Sequence, residues 1–213
     1  MIIICDFIMS FSKIVKFLLL SCLFVSFSNL LADDDGTWTY RLNDGEAIIT
    51  GCVATCPAKV VIPSTVDGYS VTEIGYGAFE NNSPKNAQIT TAIIPETVRV
   101  VGDVAFQYTP LENLELPESL IDIGLGAFSG TQLVEVVIPN GVKTIGQAAF
   151  AYSKIKNLTL GLSLETIGKS AFQRHYLYEG VTGIRIPETV KEIGVQAFTN
   201  VATADQIAAV NNF

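Results

Sequence analysis

Two glutamates stand in matching segments, Glu115 in LENLEL and Glu135 in LVEVVI. A carboxylate pair across a cleft is the equipment of a glycosidase, one group acting as acid and the other as base or nucleophile. That chemistry needs an enclosed site to raise one of the two pKa values. Both segments read instead as short open strands, so the pair is not assigned to catalysis. The lone His175, in RHYLYEG, has no carboxylate, Ser or Cys patterned with it and reads as a solvated loop histidine. Cys52 and Cys56, in GCVATCPAKV, enclose one residue too many for a redox CxxC pair, and a metal centre would need two further ligands. A disulfide is the first reading for an exported chain, with two free thiols the alternative. Gly75-Tyr76-Gly77 and Gly124-Leu125-Gly126 lack the third Gly and the Lys-Ser/Thr of phosphate-binding loops. No Asp-rich repeat suggests calcium. Asn81-Asn82-Ser83 and Asn157-Leu158-Thr159 match the N-glycosylation pattern, but the first precedes Pro84 and the second sits on a strand. The reading is therefore no catalytic residue, no metal and no cofactor.

The bulk composition agrees with a packed, non-nucleic-acid-binding chain. Its 213 residues are 49% hydrophobic and 16% charged, which suits one domain with a real core. The formal charge of −8 would repel phosphates, and there is no basic run to offset it. The start of the chain differs from the rest. From Met9 it reads MSFSKIVKFLLLSCLFVSFSNLLA and then DDDG: a basic start at Lys13 and Lys16, an apolar run from Phe17 to Phe27, and Ala32 before an acidic patch. That is the layout of a secretory signal peptide, placed at residues 1–32 with the true start at Met9. An uncleaved anchor is the alternative, but the run falls short of the roughly 20 apolar residues of a spanning helix. LLSC at Leu19 to Cys22 faintly resembles a lipoprotein processing site. Cleavage would remove Cys5 and Cys22 and leave Cys52 and Cys56 as the only cysteines.

The elements that position everything else come from a repeat. IPNGVKTIGQAAF, Ile138 to Phe150, returns as ETVRVVGDVAF, ESLIDIGLGAF, SLETIGKSAF and ETVKEIGVQAF. Aligned on Gly and Phe there are six copies, with glycines at Gly75, Gly102, Gly124, Gly146, Gly168 and Gly194. Proline precedes the Gly at Pro63, Pro95, Pro117, Pro139 and Pro187, and Gly161 replaces it in the fifth copy. Upstream lies L-x-x-L-x-L, as in LENLEL, LVEVVI, IKNLTL and VTGIRI. The alternation predicts a short strand with one buried face, and Pro ends it because it cannot donate to a ladder. V-x-x-I turns two more apolar side chains inward, and Gly permits a close approach that a Cβ would block. Ala allows tight stacking and Phe fills the centre, so Phe79, Phe106, Phe128, Phe150, Phe172 and Phe198 should form a ladder. One turn of about 22 residues cannot bury this face alone, but stacked turns share a core.

At these residues the chain resembles the BspA-type leucine-rich repeat, a bacterial-surface subclass, from about Val60 to Phe198. WTYRLNDGEAIITGC and the following VVIPSTVDGYSVTEIG also resemble the N-terminal unit of such proteins, with a small strand pair and an insertion around Asp67 to Val71. The resemblance implies a right-handed leucine-rich-repeat solenoid, with parallel strands, one short strand per repeat, and a turn or short helical segment opposite. The expected organisation is a cap at residues 33–59, six repeats at 60–200, and a C-terminal cap or truncated tail at 201–213.

Function must then lie in what differs between copies. Along each strand the third and fifth residues of L-x-x-L-x-L should point outward. The rows are Thr91 and Ile93, Asn113 and Glu115, Glu135 and Val137, Asn157 and Thr159, and Gly183 and Arg185. At about 4.8 Å between strands they would make a patch roughly 20 Å long. It is the candidate ligand-binding face, with a plain solvated face as the alternative. A second candidate is the insertion carrying Arg174, His175, Tyr176 and Tyr178, since solenoid insertions map to exposed edges. The expectation is an exported, secreted or cell-surface binding or adhesion module for a protein or glycan partner. The alternative is a structural spacer of the cell envelope.

Overall fold

The computed structural model describes residues 36–173 and 184–199. The expected signal peptide, the row residue Gly183, the insertion residues Arg174, His175, Tyr176 and Tyr178, and the expected C-terminal cap lie outside them. The chain is a parallel β-solenoid, and its first coil is seeded by a hairpin. Strands β1 (Trp38–Asn43) and β2 (Glu46–Cys52) pair antiparallel through Asp44-Gly45, both at positive φ (49° and 81°). Two successive left-handed residues are what a tight two-residue hairpin requires, and Asp-Gly supplies them at low cost. A second small hairpin, β4 (Thr65–Val66) with β5 (Tyr69–Ile74), turns at Asp67-Gly68 in the same way. Apart from that hairpin, the pairing from β2 onward is parallel, β2 lying against β5.

Among the described residues each coil but the last then carries two strands, where the sequence pattern suggested one; in the last coil Ile184, Arg185 and Ile186 form no strand. The L-x-x-L-x-L segments form β3 (Lys59–Val61), β6 (Thr91–Ile93), β8 (Asn113–Glu115), β10 (Glu135–Val137) and β12 (Asn157–Thr159). The residues before Gly75 end the six-residue β5, and those before the other five repeat glycines form two-residue strands: β7 (Val100–Val101), β9 (Asp122–Ile123), β11 (Thr144–Ile145), β13 (Thr166–Ile167) and β14 (Glu192–Ile193). These short strands make the longer sheet, in the order β1-β2-β5-β7-β9-β11-β13-β14, with β4 beside β5. The glycine after each extends the ladder: Gly124 N–H donates to Val101 C=O and Gly146 N–H to Ile123 C=O, both at 2.7 Å. Adjacent glycines also face one another closely, and a Cβ on Gly146 would sit 2.7 Å from the carbonyl carbon of Gly124.

No helix occurs among the described residues; the segment after each glycine is a turn. The reason is local. The residue two places after each repeat glycine has positive φ in all six copies: Gly77, Val104, Gly126, Ala148, Ser170 and Gln196. Tyr108, Gly130 and Tyr152, two places after their phenylalanines, are left-handed as well. Left-handed residues this frequent interrupt any helical run. The backbone bonds are instead made between coils: Phe106 N–H donates to Ala127 C=O, Phe128 to Ala149 and Phe150 to Ala171, each at 2.7 Å.

The core runs down the axis. Phe79, Phe106, Phe128, Phe150, Phe172 and Phe198 are buried, and neighbouring rings stack with centroids 4.9–5.4 Å apart. Trp38 meets Phe79 edge-on and closes the N-terminal end of the stack. Buried hydroxyls sit beside it: Thr109, Thr131 and Ser153 donate to the carbonyls of Phe106, Phe128 and Phe150. Each hydroxyl thus satisfies a carbonyl that the stacking direction leaves without a partner in the next coil.

Candidate functional site

The face of interest is built by the three-residue strands. Their middle residues turn inward, Ala92 and Val136 fully buried and Leu114 and Leu158 partly so. The residues on either side must then project outward, because strand side chains alternate. Asn113, Glu115, Glu135, Val137, Asn157, Thr159 and Arg185 are exposed; Thr91 and Ile93 are half-buried. The register aligns Thr91 with Asn113 and Ile93 with Glu115, and separately Glu135 with Asn157 and Val137 with Thr159.

The rows therefore form two ladders, β3-β6-β8 and β10-β12, rather than one continuous sheet. Where they separate, the coils remain joined by Gln132 N–H donating to Leu111 C=O at 2.9 Å. The first ladder is also longer than the repeat pattern implied, because β3 adds Lys59 and an exposed Val61. Its signal was present in VVIP, where Pro63 ends the segment as the other prolines end theirs.

On and beside the longer sheet some carboxylates meet cations, Arg41 with Glu73, Arg99 with Glu46 and Lys191 with Glu165, whereas Asp122 and Glu192 on its strands make no ion pair among the described residues. A hydrogen bond from the Lys191 ammonium, followed by its charge and that of Lys143, holds the Glu165 carboxyl below its ordinary range despite a small opposing effect of burial. On the three-residue strands, Glu115 and Glu135 make no ion pair among the described residues. Both stand exposed on an open sheet, without the enclosure an acid–base pair needs.

Cys52 and Cys56 are joined by a disulfide at the end of β2. No group of three or more His, Cys, Asp or Glu side chains is placed to hold a metal ion among the described residues. No helix among them is long and apolar enough to cross a membrane.

The model of the BspA type leucine rich repeat region matches residues 72–204 and 175–213, in six copies. The chain belongs to this family. Its fold is similar to that of a leucine rich repeat protein from Treponema pallidum (TpLRR; TM-score 0.61, 23% identity, covering 83% of this chain and 94% of that one). It is also similar to a leucine rich cell surface protein from Faecalibacterium prausnitzii (TM-score 0.57, 26% identity, covering 79% and 52%). A third likeness is to the pneumococcal vaccine antigen PcpA (TM-score 0.60, 20% identity, covering 78% and 47%). The chain spans about half the length of the last two. No curated protein matches it.

Proposed function

We propose that this protein is an exported, non-enzymatic binding or adhesion module that offers its three-residue-strand face to a protein or glycan at a surface. The observation that carries the reading is the exposure of the three-residue strands. Glu115 and Glu135 stand there open to solvent, without an ion pair among the described residues, beside Asn113, Val137 and Asn157. A flat sheet with mixed polar and β-branched side chains suits a broad contact rather than a small ligand held in a pocket. The Faecalibacterium neighbour, a leucine rich cell surface protein, supports a location at the cell surface. That step is an analogy from fold to function.

The test is a pull-down of surface proteins and glycans by the wild-type protein and by a triple variant, Glu115→Gln, Glu135→Gln and Asn157→Ala. The variant should fold normally and lose most of the captured material. Equal capture by the folded variant removes this face from the binding role.

A further inference from the structure

The first repeat carries an insertion whose purpose the repeat pattern does not explain. Nine residues lie between Phe79 and Ile89, where four lie between Phe106 and Leu111. The extra residues lie within Glu80–Gln88, and their Lys85–Gln88 end is held by the short loop that the disulfide closes. Cys56 N–H donates to Lys85 C=O at 3.0 Å. The Lys85 ammonium donates to Val53 C=O at 3.1 Å, and the Gln88 amide donates to Cys56 C=O at 2.6 Å. Asn86 is buried, its Nδ2 donating to Glu80 C=O and its Oδ1 lying 3.2 Å from Cys56 Sγ.

Backbone groups of residues 53–56, inside or at the end of the bridged loop, thus hold the Lys85–Gln88 end of the insertion, while its Asn81 is held by the Gln107 and Tyr108 carbonyls of the next coil. The repeat coils do not depend on the contacts from residues 53–56. Their phenylalanine stack and inter-coil bonds continue from Phe106 to Phe198 without either cysteine. We propose that the Cys52–Cys56 disulfide is a redox latch for the Lys85–Gln88 end of this loop. Closed, it fixes that end against the N-terminal coil; opened, it releases that end while the solenoid stays folded.

Opening needs a thiol reductant. Its thiolate attacks the sulfur of Cys52, the less buried residue of the two, 8% exposed against 0% for Cys56. The S–S bond breaks, Cys56 leaves as a thiolate and takes up a proton, and a mixed disulfide remains on Cys52. A second reductant thiol attacks the reductant's own sulfur in that mixed disulfide, freeing the Cys52 thiol and forming the oxidised reductant. Two electrons and two protons are transferred in all. Residues 53–56 then lose their closure, and Lys85 and Gln88 lose their fixed partners.

The experiment is limited trypsin digestion of the folded protein, oxidised and after dithiothreitol, with cleavage sites read by mass spectrometry. The bond after Lys85 should be cut about tenfold faster or more once the bridge is open, because cleavage tracks the population of the released loop. The bonds after Arg99 and Lys143, which lead into β7 and toward β11, should stay protected. A double variant, Cys52→Ser and Cys56→Ser, should behave like the reduced protein without any reductant. Equal cleavage after Lys85 in the open and closed forms overturns the latch. So does simultaneous loss of protection at Lys85, Arg99 and Lys143, or failure of the double variant to fold, because the bridge would then be holding the whole solenoid.

Discussion

At the scale of single residues, the departures from the repeat are as informative as its matches. Gly161 stands where the other copies have Pro, and its surroundings explain the exchange. A Cβ at that position would lie 2.1 Å from the Pro139 carbonyl oxygen and 2.6 Å from its carbon, both backbone atoms that cannot swing away. The neighbouring turn is equally tight, since a Cβ on Gly141 would meet the Glu118 carbonyl oxygen at 2.2 Å. Gly161→Pro restores the consensus letter yet should destabilise the protein by about 1–3 kcal/mol, the usual cost of forcing atoms into a packed site. Urea unfolding would read the change as a lower midpoint, and an unchanged midpoint would mean that the coils can separate there freely. Polar residues of the same turns have a related task. Glu96 accepts from Glu118 and Ser119 N–H, Glu118 from Asn140 N–H, and Asn140 from Leu162 N–H. Residues that vary between copies therefore also tie each turn to the next.

At the scale of elements, the longer sheet owes its pairing to backbone contacts between coils, and its surface adds charge pairs. Glu165 and Lys191 lie on adjacent coils, 2.6 Å apart and exposed. The folded-state pKa of Glu165 is lowered from 4.5, first by the hydrogen bond from Lys191 and then by its charge. A lowered folded pKa means that the stabilisation is present above the unfolded pKa and disappears as pH falls through the folded one. Wild type should therefore melt above Glu165→Gln near neutral pH, and the difference should shrink on acidification below about pH 4.5. Added salt should reduce it too, because the pair is open to solvent. Identical melting at neutral pH would show that the pair contributes nothing to folding. The existence of this sheet was not legible in the sequence. Thr144–Ile145 and Thr166–Ile167 are too short for alternation to register, and only stacking brings them together.

At the scale of the whole molecule, stability is a sum over coils and the contacts between them. Phe128 stacks on Phe106 and Phe150, whereas Phe198 stacks on Phe172 alone among the described residues. Phe128→Ala should cost about 3–5 kcal/mol, leaving a cavity that breaks the stack on both sides. Phe198→Ala should cost less, because the remaining coils keep their mutual contacts. Denaturant midpoints of the two variants give the comparison directly. A Phe128→Ala midpoint equal to wild type would end the idea that the ring stack carries the core.

The amino-acid sequence by itself determined the coil: its length, its inward residues, the proline that ends each three-residue strand and the phenylalanine at its centre. It could do so because burial selects residue type position by position, and six copies repeat the selection. The tertiary structure decided what depends on neighbours. It placed a second strand in every described coil but the last, left the segment after each glycine without a helix, and divided the exposed rows between β8 and β10. LENLEL and LVEVVI carry the same pattern, yet no ladder joins them. Hydrogen bonds between coils depend on the relative placement of two backbones, and a pattern read along one chain segment does not contain that placement.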